Sequence, residues 1–127
     1  MSKYTEIESI ASNKYTHIKA RVKKNPGYKL EDYWKREDFI NWYVNIEKKC
    51  CYCYSTEEEI ILFYNKNNSK RKNTRGKTLE IERIQDKEYS KNNCSLICYW
   101  CNNAKSDAFT REEFREIGLS IGKTIQK

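Results

Sequence analysis

The chain has little of what a large core, a membrane segment or an export signal requires. Only 38% of its 127 residues are apolar. No run approaches the roughly 18 apolar residues that cross a bilayer, and the first ten residues lack the apolar segment of a secretory signal. There is one histidine, His17, and a lone histidine without a partner motif is more often a surface or core residue than a catalytic one. These absences predict one small cytoplasmic domain with a thin core.

Cysteine is the residue that this chain does have in a pattern. Four of the six cysteines form two Cys-x-x-Cys pairs with 44 residues between them, Cys50/Cys53 and Cys98/Cys101. Four thiolates presented by two tight turns suit one tetrahedral Zn²⁺ ion. Since six is an even number, a disulfide set is the alternative, but a chain that is not exported keeps its thiols reduced.

Two cysteines are left over from the pairs. Cys51 sits inside the first pair, so the register of that pair stays open. Cys94 reads as a small buried apolar residue rather than as a ligand. The predicted zinc ion supplies part of the folding free energy that so thin a core lacks.

Positive charge is concentrated in two runs. The net charge is +7, and the segments 9–30 and 65–77 each carry six basic residues and no acidic one. Either run alone could be a solvated surface, but two runs in a chain with ten tyrosines favour a nucleic acid partner. The predicted DNA contacts are Lys14, Lys19, Arg21, Lys23, Lys24, Lys70, Arg71, Lys72 and Arg75.

Local signals predict helices at both ends of the chain. A capping box at Thr5 and Glu8 starts a helix that ends at Pro26, and apolar spacing predicts a second helix over 36–48. Another capping box, Thr110 with Glu113, starts the last helix, which we expect to break near Gly118. Between these helices the pattern predicts strands over 60–64 and 78–84, then a short helix over 98–106.

This order of strands, loop and helix, with a Cys pair at each end, resembles the HNH or ββα-metal nuclease superfamily. The resemblance rests on residues 79–84, Tyr89, Asn93 and the run 98–105, Cys-Tyr-Trp-Cys-Asn-Asn-Ala-Lys. It implies an α+β fold with a zinc-stapled, treble-clef-like core and flanking N-terminal and C-terminal helices. The expected organisation is a basic helical extension over 1–35 and a nuclease-like domain over 36–127.

The resemblance also implies roles for single residues. Glu82 and Asn102 match the pair that holds a catalytic Mg²⁺ or Mn²⁺ ion against the scissile phosphate. Asn93 matches the residue that braces the active-site loop, and Lys105 occupies a position suited to a phosphate contact. Glu82 stands where Asp is commoner, and its extra methylene moves the carboxylate.

One position departs from the superfamily pattern. The residue after the acid is usually the histidine that activates water, and here it is Arg83. Arginine cannot act as a base near neutral pH. The segment also resembles a branch of restriction endonucleases in which Arg follows the acid and a Tyr in a preceding Trp-Tyr pair acts as base or nucleophile. By that resemblance the base is Tyr43, with Tyr89 and His17 as rivals.

The leading function is therefore a metal-dependent DNA endonuclease. The first alternative is a catalytically inactive, zinc-stabilised DNA-binding module, and the second is an adaptor for RNA or protein. The expected partner is double-stranded DNA rather than a membrane. Cutting both strands with one small site calls for two copies of the chain, which leaves a homodimer open.

Overall fold

In a computed structural model the chain forms two compact units. The first comprises Met1–Glu47 and Arg83–Cys94, and the second comprises Lys48–Glu82 and Ser95–Lys127. The structure describes residues 3–127 apart from Thr74 and Asp86, and it does not describe the side chains of Arg71, Lys72 and Arg75. The sequence-based boundary at residue 36 stays a prediction.

The first unit is built on two helices and a short parallel strand pair. Its elements are α1 (Glu6–Lys24), β1 (Lys29–Leu30), α2 (Arg36–Asn45), β3 (Glu88–Tyr89) and a 3-10 helix (Lys91–Asn93). The predicted capping box begins α1, because the Thr5 side chain accepts from the Glu8 backbone while Glu8 reaches back. Strands β1 and β3 pair with Lys29 opposite Glu88.

Aromatic packing holds α1 and α2 together. The Phe39 ring lies 5.5 Å from the Tyr15 ring and 5.1 Å from the Trp34 ring. The Tyr15 hydroxyl donates to the Trp34 carbonyl at 2.8 Å, which satisfies a polar group inside this core. Arg36 adds a bond of 2.8 Å from its guanidinium to the Ser12 carbonyl on α1.

The second unit carries the cysteine pairs. Strand β2 pairs with strand β4, and all but Arg83 and Cys94 of these strands belongs to this unit. The elements in this part of the chain are α3 (Glu57–Lys66), 3-10 helices at Lys70–Asn73 and Arg75–Lys77, β2 (Glu80–Arg83), β4 (Cys94–Ile97), α4 (Tyr99–Lys105) and α5 (Arg111–Ile125). The α+β class is confirmed, with β2 inside the strand predicted over 78–84.

The strand predicted over 60–64 is wrong, since those residues belong to α3. Thr56 and Glu59 form a capping box that starts this helix. Ile60 and Tyr64 are buried one helical turn apart, whereas Leu62 is 67% exposed. The run of β-favouring side chains was a weaker signal than the cap before it. The strand that pairs with β2 is instead β4, which includes the buried Cys94.

The break predicted near Gly118 is also wrong, because α5 runs unbroken from Arg111 to Ile125. Gly118 and Gly122 lie one turn apart on the face that packs against the first Cys-x-x-Cys turn. A Cβ at Gly118 would lie 2.8 Å from the Cβ of Tyr52, and one at Gly122 would overlap the carbonyl oxygen of Cys53. These glycines allow close packing and do not end the helix.

None of the helices in the described residues is long and apolar enough to span a membrane.

We expect Gly122→Ala to destabilise the protein by about 1–3 kcal/mol through overpacking. Alanine at an unhindered helix position would instead stabilise by roughly 0.4–1 kcal/mol. Urea unfolding followed by circular dichroism measures the difference. Ser120→Ala, at an exposed position of the same helix, is the control and should change stability little. A Gly122→Ala variant as stable as the parent would contradict the close packing.

Candidate metal centre and active site

The four paired cysteines form one buried cluster. The sulfurs of Cys50, Cys53, Cys98 and Cys101 all lie within 4.8 Å of one another. The sulfurs of Cys53 and Cys98 are 3.8 Å apart, and none of the six cysteines is in a disulfide. Zn–S bonds of about 2.3 Å in a tetrahedron place sulfurs about 3.8 Å apart. The spacing thus fits four ligands of one metal ion and not two disulfides.

Local backbone structure presents each pair of sulfurs. In the first turn the Tyr54 amide donates to the Cys50 carbonyl at 3.0 Å, and the Cys50 amide donates to the Ser55 carbonyl at 3.0 Å. Tyr54 takes a left-handed conformation with φ of 61° to close this turn. In the second pair Cys98 is the N-cap of α4, and its sulfur accepts from the Cys101 amide at 3.3 Å.

The charges of the sulfurs favour a cation at the cluster. The pKa of the Cys50 thiol is far below its usual range, because the thiols of Cys101, Cys53 and Cys98 donate to it. The pKa of Cys101 is raised, chiefly because it donates to Cys50. Four thiolates this close and this buried can form together only if a cation balances their charge. The cluster could therefore hold a metal such as zinc.

The Glu82 carboxylate lies beside this cluster and is held by three side chains. The Tyr52 hydroxyl donates to its Oε1 at 2.9 Å, and the Cys51 thiol donates to its Oε2 at 3.4 Å. Burial, together with the bond to Glu82, raises the pKa of the Tyr52 hydroxyl, and burial raises the pKa of Cys51 to about 12. Both groups stay protonated at neutral pH and act as donors.

Lys105 is the third group at Glu82. Its ammonium lies 3.8 Å from Oε1, and the two side chains are 16% and 10% exposed. Lys105 ends the short helix α4, which also carries Asn102. Two of the residues singled out by resemblance, Glu82 and Lys105, are thus in contact.

Asn102 pairs with Glu80 and not with Glu82. Its Nδ2 donates to Glu80 Oε1 at 2.8 Å. An ionised carboxylate can only accept, so the amide nitrogen must face Glu80, and the carbonyl oxygen is left as the acceptor of Asn102. Carboxylate and amide oxygens are the donors that Mg²⁺ and Mn²⁺ prefer. The side chains of Glu82 in β2 and Asn102 in α4 therefore offer the oxygen ligands that suit the type of ion predicted for this site.

Arg83 contacts two tyrosines in the first unit. Its NH1 donates to the Tyr89 hydroxyl at 2.7 Å. The guanidinium carbon lies 4.5 Å from the ring centroid of Tyr28 and 5.1 Å from that of Tyr89. These distances are within the range of cation–π attraction.

Asn93 ties the turn that follows β2. Its Nδ2 donates to the carbonyl oxygens of Gln85 and Glu88, the latter at 2.7 Å, and its Oδ1 accepts from the Gln85 amide at 2.9 Å. Such bonds are what a loop-bracing residue needs.

Tyr43 is enclosed in the first unit. It lies in α2 and is 1% exposed. Its ring stacks on Phe39 at 6.4 Å, and the Lys14 ammonium lies 6.0 Å from the ring centroid. Its rival His17 is exposed on α1.

Most of the predicted DNA-contacting residues that the structure describes are exposed. Lys14 is half-buried, and the predicted contacts at Arg71, Lys72 and Arg75 lie outside the described side chains. The exposed ones are Lys19, Arg21, Lys23, Lys24 and Lys70.

Four residues at these sites were missed in the sequence: Tyr28, Cys51, Tyr52 and Glu80. For three of these residues the sequence contained a signal that could have identified them. Cys51 and Tyr52 lie inside the first Cys-x-x-Cys turn, and Glu80 shares a strand face with Glu82, two residues away. Tyr28 had no such signal.

A solved structure is similar to the whole of this fold. It is that of the rare-cutting HNH restriction endonuclease PacI, with a TM-score of 0.68 and 25% sequence identity. The match covers 96% of this chain and 80% of that one. No family model and no curated protein matches the chain.

The fold and the four-cysteine cluster define this chain as HNH-like, and the resemblance drawn from the sequence is confirmed. Within that class it is similar to the PacI endonuclease.

We expect the purified protein to contain one zinc ion per chain, measured by atomic emission. Cys53→Ser should lose the ion and unfold the second unit, because a structural zinc site contributes to the folding free energy.

Cys51→Ser is the matched control, since Cys51 is adjacent in sequence but is not one of the four clustered sulfurs. It should keep one zinc per chain. Loss of zinc in this variant, or folded parent protein without zinc, would contradict the assigned ligands.

Proposed function

We propose that the chain is a metal-dependent DNA endonuclease of the HNH type that hydrolyses phosphodiester bonds. The observation that carries the proposal is the placement of Glu82 at the end of β2 and Asn102 in α4, within a fold similar to that of a restriction endonuclease. The proposed substrate is double-stranded DNA, and cutting both strands would call for two copies of the chain. The compartment is the cytoplasm, where four clustered thiols stay reduced.

Glu82 and Asn102 would hold the catalytic Mg²⁺ or Mn²⁺ ion through a carboxylate and an amide oxygen. When bound, the ion supplies Lewis-acid stabilisation of the charge on the reacting phosphate and the leaving oxygen. Lys105 sits at the same carboxylate, so its ammonium can contact the phosphate that the site receives.

Arg83 takes the place of the usual histidine, and its chemistry differs. It stays charged at neutral pH and presents a planar fork of donors that matches two phosphate oxygens. It therefore stabilises negative charge that develops on the phosphate. It cannot remove the proton from water, so another group must do so.

Tyr43 is our proposed base or nucleophile. A tyrosine hydroxyl has an ordinary pKa near 10, and a nearby cation favours its ionised form. The Lys14 ammonium lies 6.0 Å from the centroid of the Tyr43 ring. The enclosed position of Tyr43 requires its surroundings to open when DNA binds. Tyr89, whose hydroxyl already accepts from Arg83, is the rival.

A specific observation favours a second function, that of an inactive DNA-binding module. Both oxygens of Glu82 have protein donors, and Lys105 lies beside one of them. A carboxylate satisfied in this way has less need of a metal ion. In this reading the fold keeps its basic surfaces and has lost cleavage along with the histidine.

We expect plasmid cleavage in Mg²⁺ or Mn²⁺ that a chelator of those ions stops. Glu82→Ala and Asn102→Ala should each lower the cleavage rate by at least about 100-fold, because each removes a ligand of the catalytic ion. DNA affinity and zinc content should stay unchanged. Asn103→Ala is the matched control, since this exposed neighbour of Asn102 donates from its side chain to the Tyr99 carbonyl within α4.

Tyr43→Phe then separates the candidates for the base. It should abolish cleavage with DNA binding intact, whereas full activity would assign the base to Tyr89, His17 or solvent. Absence of cleavage by the parent protein on any DNA, with binding retained, would support the inactive module instead.

We also expect DNA affinity to fall steeply with salt, since each neutralised phosphate adds about 0.9 to the log–log slope. Lys23→Ala and Lys24→Ala should each reduce this slope by about one unit if the C-terminal end of α1 contacts phosphates. Lys123→Ala, an exposed lysine on α5, should leave it unchanged. Fluorescence anisotropy at several salt concentrations measures the slopes, and a slope near zero in the parent would exclude phosphate contacts.

A further inference from the structure

Three cations converge on one aromatic ring in the first unit. The guanidinium carbons of Arg21 and Arg83 lie 4.8 Å and 4.5 Å from the ring centroid of Tyr28, and the Lys87 ammonium lies 5.4 Å from it. Arg21 also approaches the Tyr28 hydroxyl, with an N···O distance of 3.5 Å. The ring is half-buried, whereas Arg21 and Lys87 are exposed. Tyr28 is thus the common neighbour of a positive cluster.

The cluster has no acidic partner within the described residues. None of its three cations is within ion-pair distance of a described carboxylate. Three like charges repel one another, and π-faces attract each of them only weakly. The cluster therefore carries positive charge that no described carboxylate balances at ion-pair distance.

Arg83 provides a second, independent sign of an absent partner. Its Nε is buried and has no hydrogen-bond acceptor among the residues that the structure describes. Buried N–H groups are nearly always paired in folded proteins. Its NH1, in contrast, is bonded to Tyr89. The NH1 group of the guanidinium is therefore held by Tyr89, whereas its Nε–H group has no acceptor among the described residues.

The two tyrosines lie next to each other on one side of this guanidinium. The rings of Tyr28 and Tyr89 are 6.3 Å apart with an angle of 27° between their planes. Arginine pre-organised in this way loses less side-chain freedom when it binds a phosphate. The two rings come from different segments, since Tyr89 lies in β3 and Tyr28 directly precedes β1. The pairing of β1 with β3 brings these segments together.

We propose that Tyr28 is a positioning residue that holds Arg83 for a DNA phosphate, with Arg21 and Lys87 as further contacts to the same backbone. The ligand class is a phosphodiester anion. The inference rests on the proposed function, because it takes Arg83 to be the phosphate-binding residue of the nuclease site. It adds a role for Tyr28, which lies outside every motif of the sequence.

A double-mutant cycle on DNA affinity tests this role. The variants are Tyr28→Leu, Arg83→Ala and both together, with the dissociation constant for a duplex measured by anisotropy. Loss of the π-face should weaken binding by about 3- to 30-fold in the Tyr28→Leu variant. In the Arg83→Ala background the same change should weaken binding clearly less, because the part of the effect that Tyr28 exerts through Arg83 is already lost.

Tyr28→Phe is the matched control, since it keeps the ring and removes only the hydroxyl. It should bind DNA as tightly as the parent does. Weaker binding would mean that the hydroxyl itself is needed. Zinc content and circular dichroism check that each variant is folded. Tyr28→Gln, a flat side chain without an aromatic face, replaces the Leu variant if that one does not fold.

The outcomes separate the inference from the proposed function. Losses that add fully in the double variant, or a Tyr28→Leu variant that binds like the parent, would overturn the positioning role. Tight binding without cleavage would contradict the nuclease proposal alone, since the cycle is measured on affinity. A parent protein that binds no DNA would contradict both.

Discussion

The second unit depends on four sulfur atoms that two distant segments bring together. Cys53 and Cys98 are 45 positions apart in the chain, yet their sulfurs lie 3.8 Å from each other. A protein with 38% apolar residues has little other means of holding short strands and a seven-residue helix. A metal ion bound at this cluster would hold the start of α4 to the first Cys-x-x-Cys turn.

The first Cys-x-x-Cys turn also positions side chains that contact the Glu82 carboxylate. Cys51 and Tyr52 lie between ligands of the cluster, and both donate to Glu82. The back of the turn packs against α5, where Gly118 and Gly122 allow the backbones to approach. A perturbation of the cluster should thus be transmitted to the candidate catalytic carboxylate through covalent neighbours.

The role proposed for Arg83, at the position where the superfamily pattern has histidine, changes what the surroundings must provide. A histidine base needs a partner that orients its ring and sets its pKa, whereas an arginine needs a rigid frame that aims its fork of donors. Tyr89 and Tyr28 form a frame of this kind. In the proposed nuclease another group would have to remove the proton, and the buried Tyr43 is the residue proposed for it.

Local chemistry in the sequence determined the starts of the first and last helices and the pairing of the cysteines, while the resemblance to the HNH superfamily implied the α+β class. The capping boxes at Thr5 and Thr110 involve residues three positions apart, so no tertiary contact is needed to read them. Tertiary structure decided the rest. The pairing of β2 with β4, the use of Gly118 in close packing, the bond from Asn102 to Glu80 and the position of Tyr28 beside Arg83 all join residues far apart in the chain. Such contacts depend on which surfaces meet when the chain folds, and no local pattern of side chains encodes that meeting.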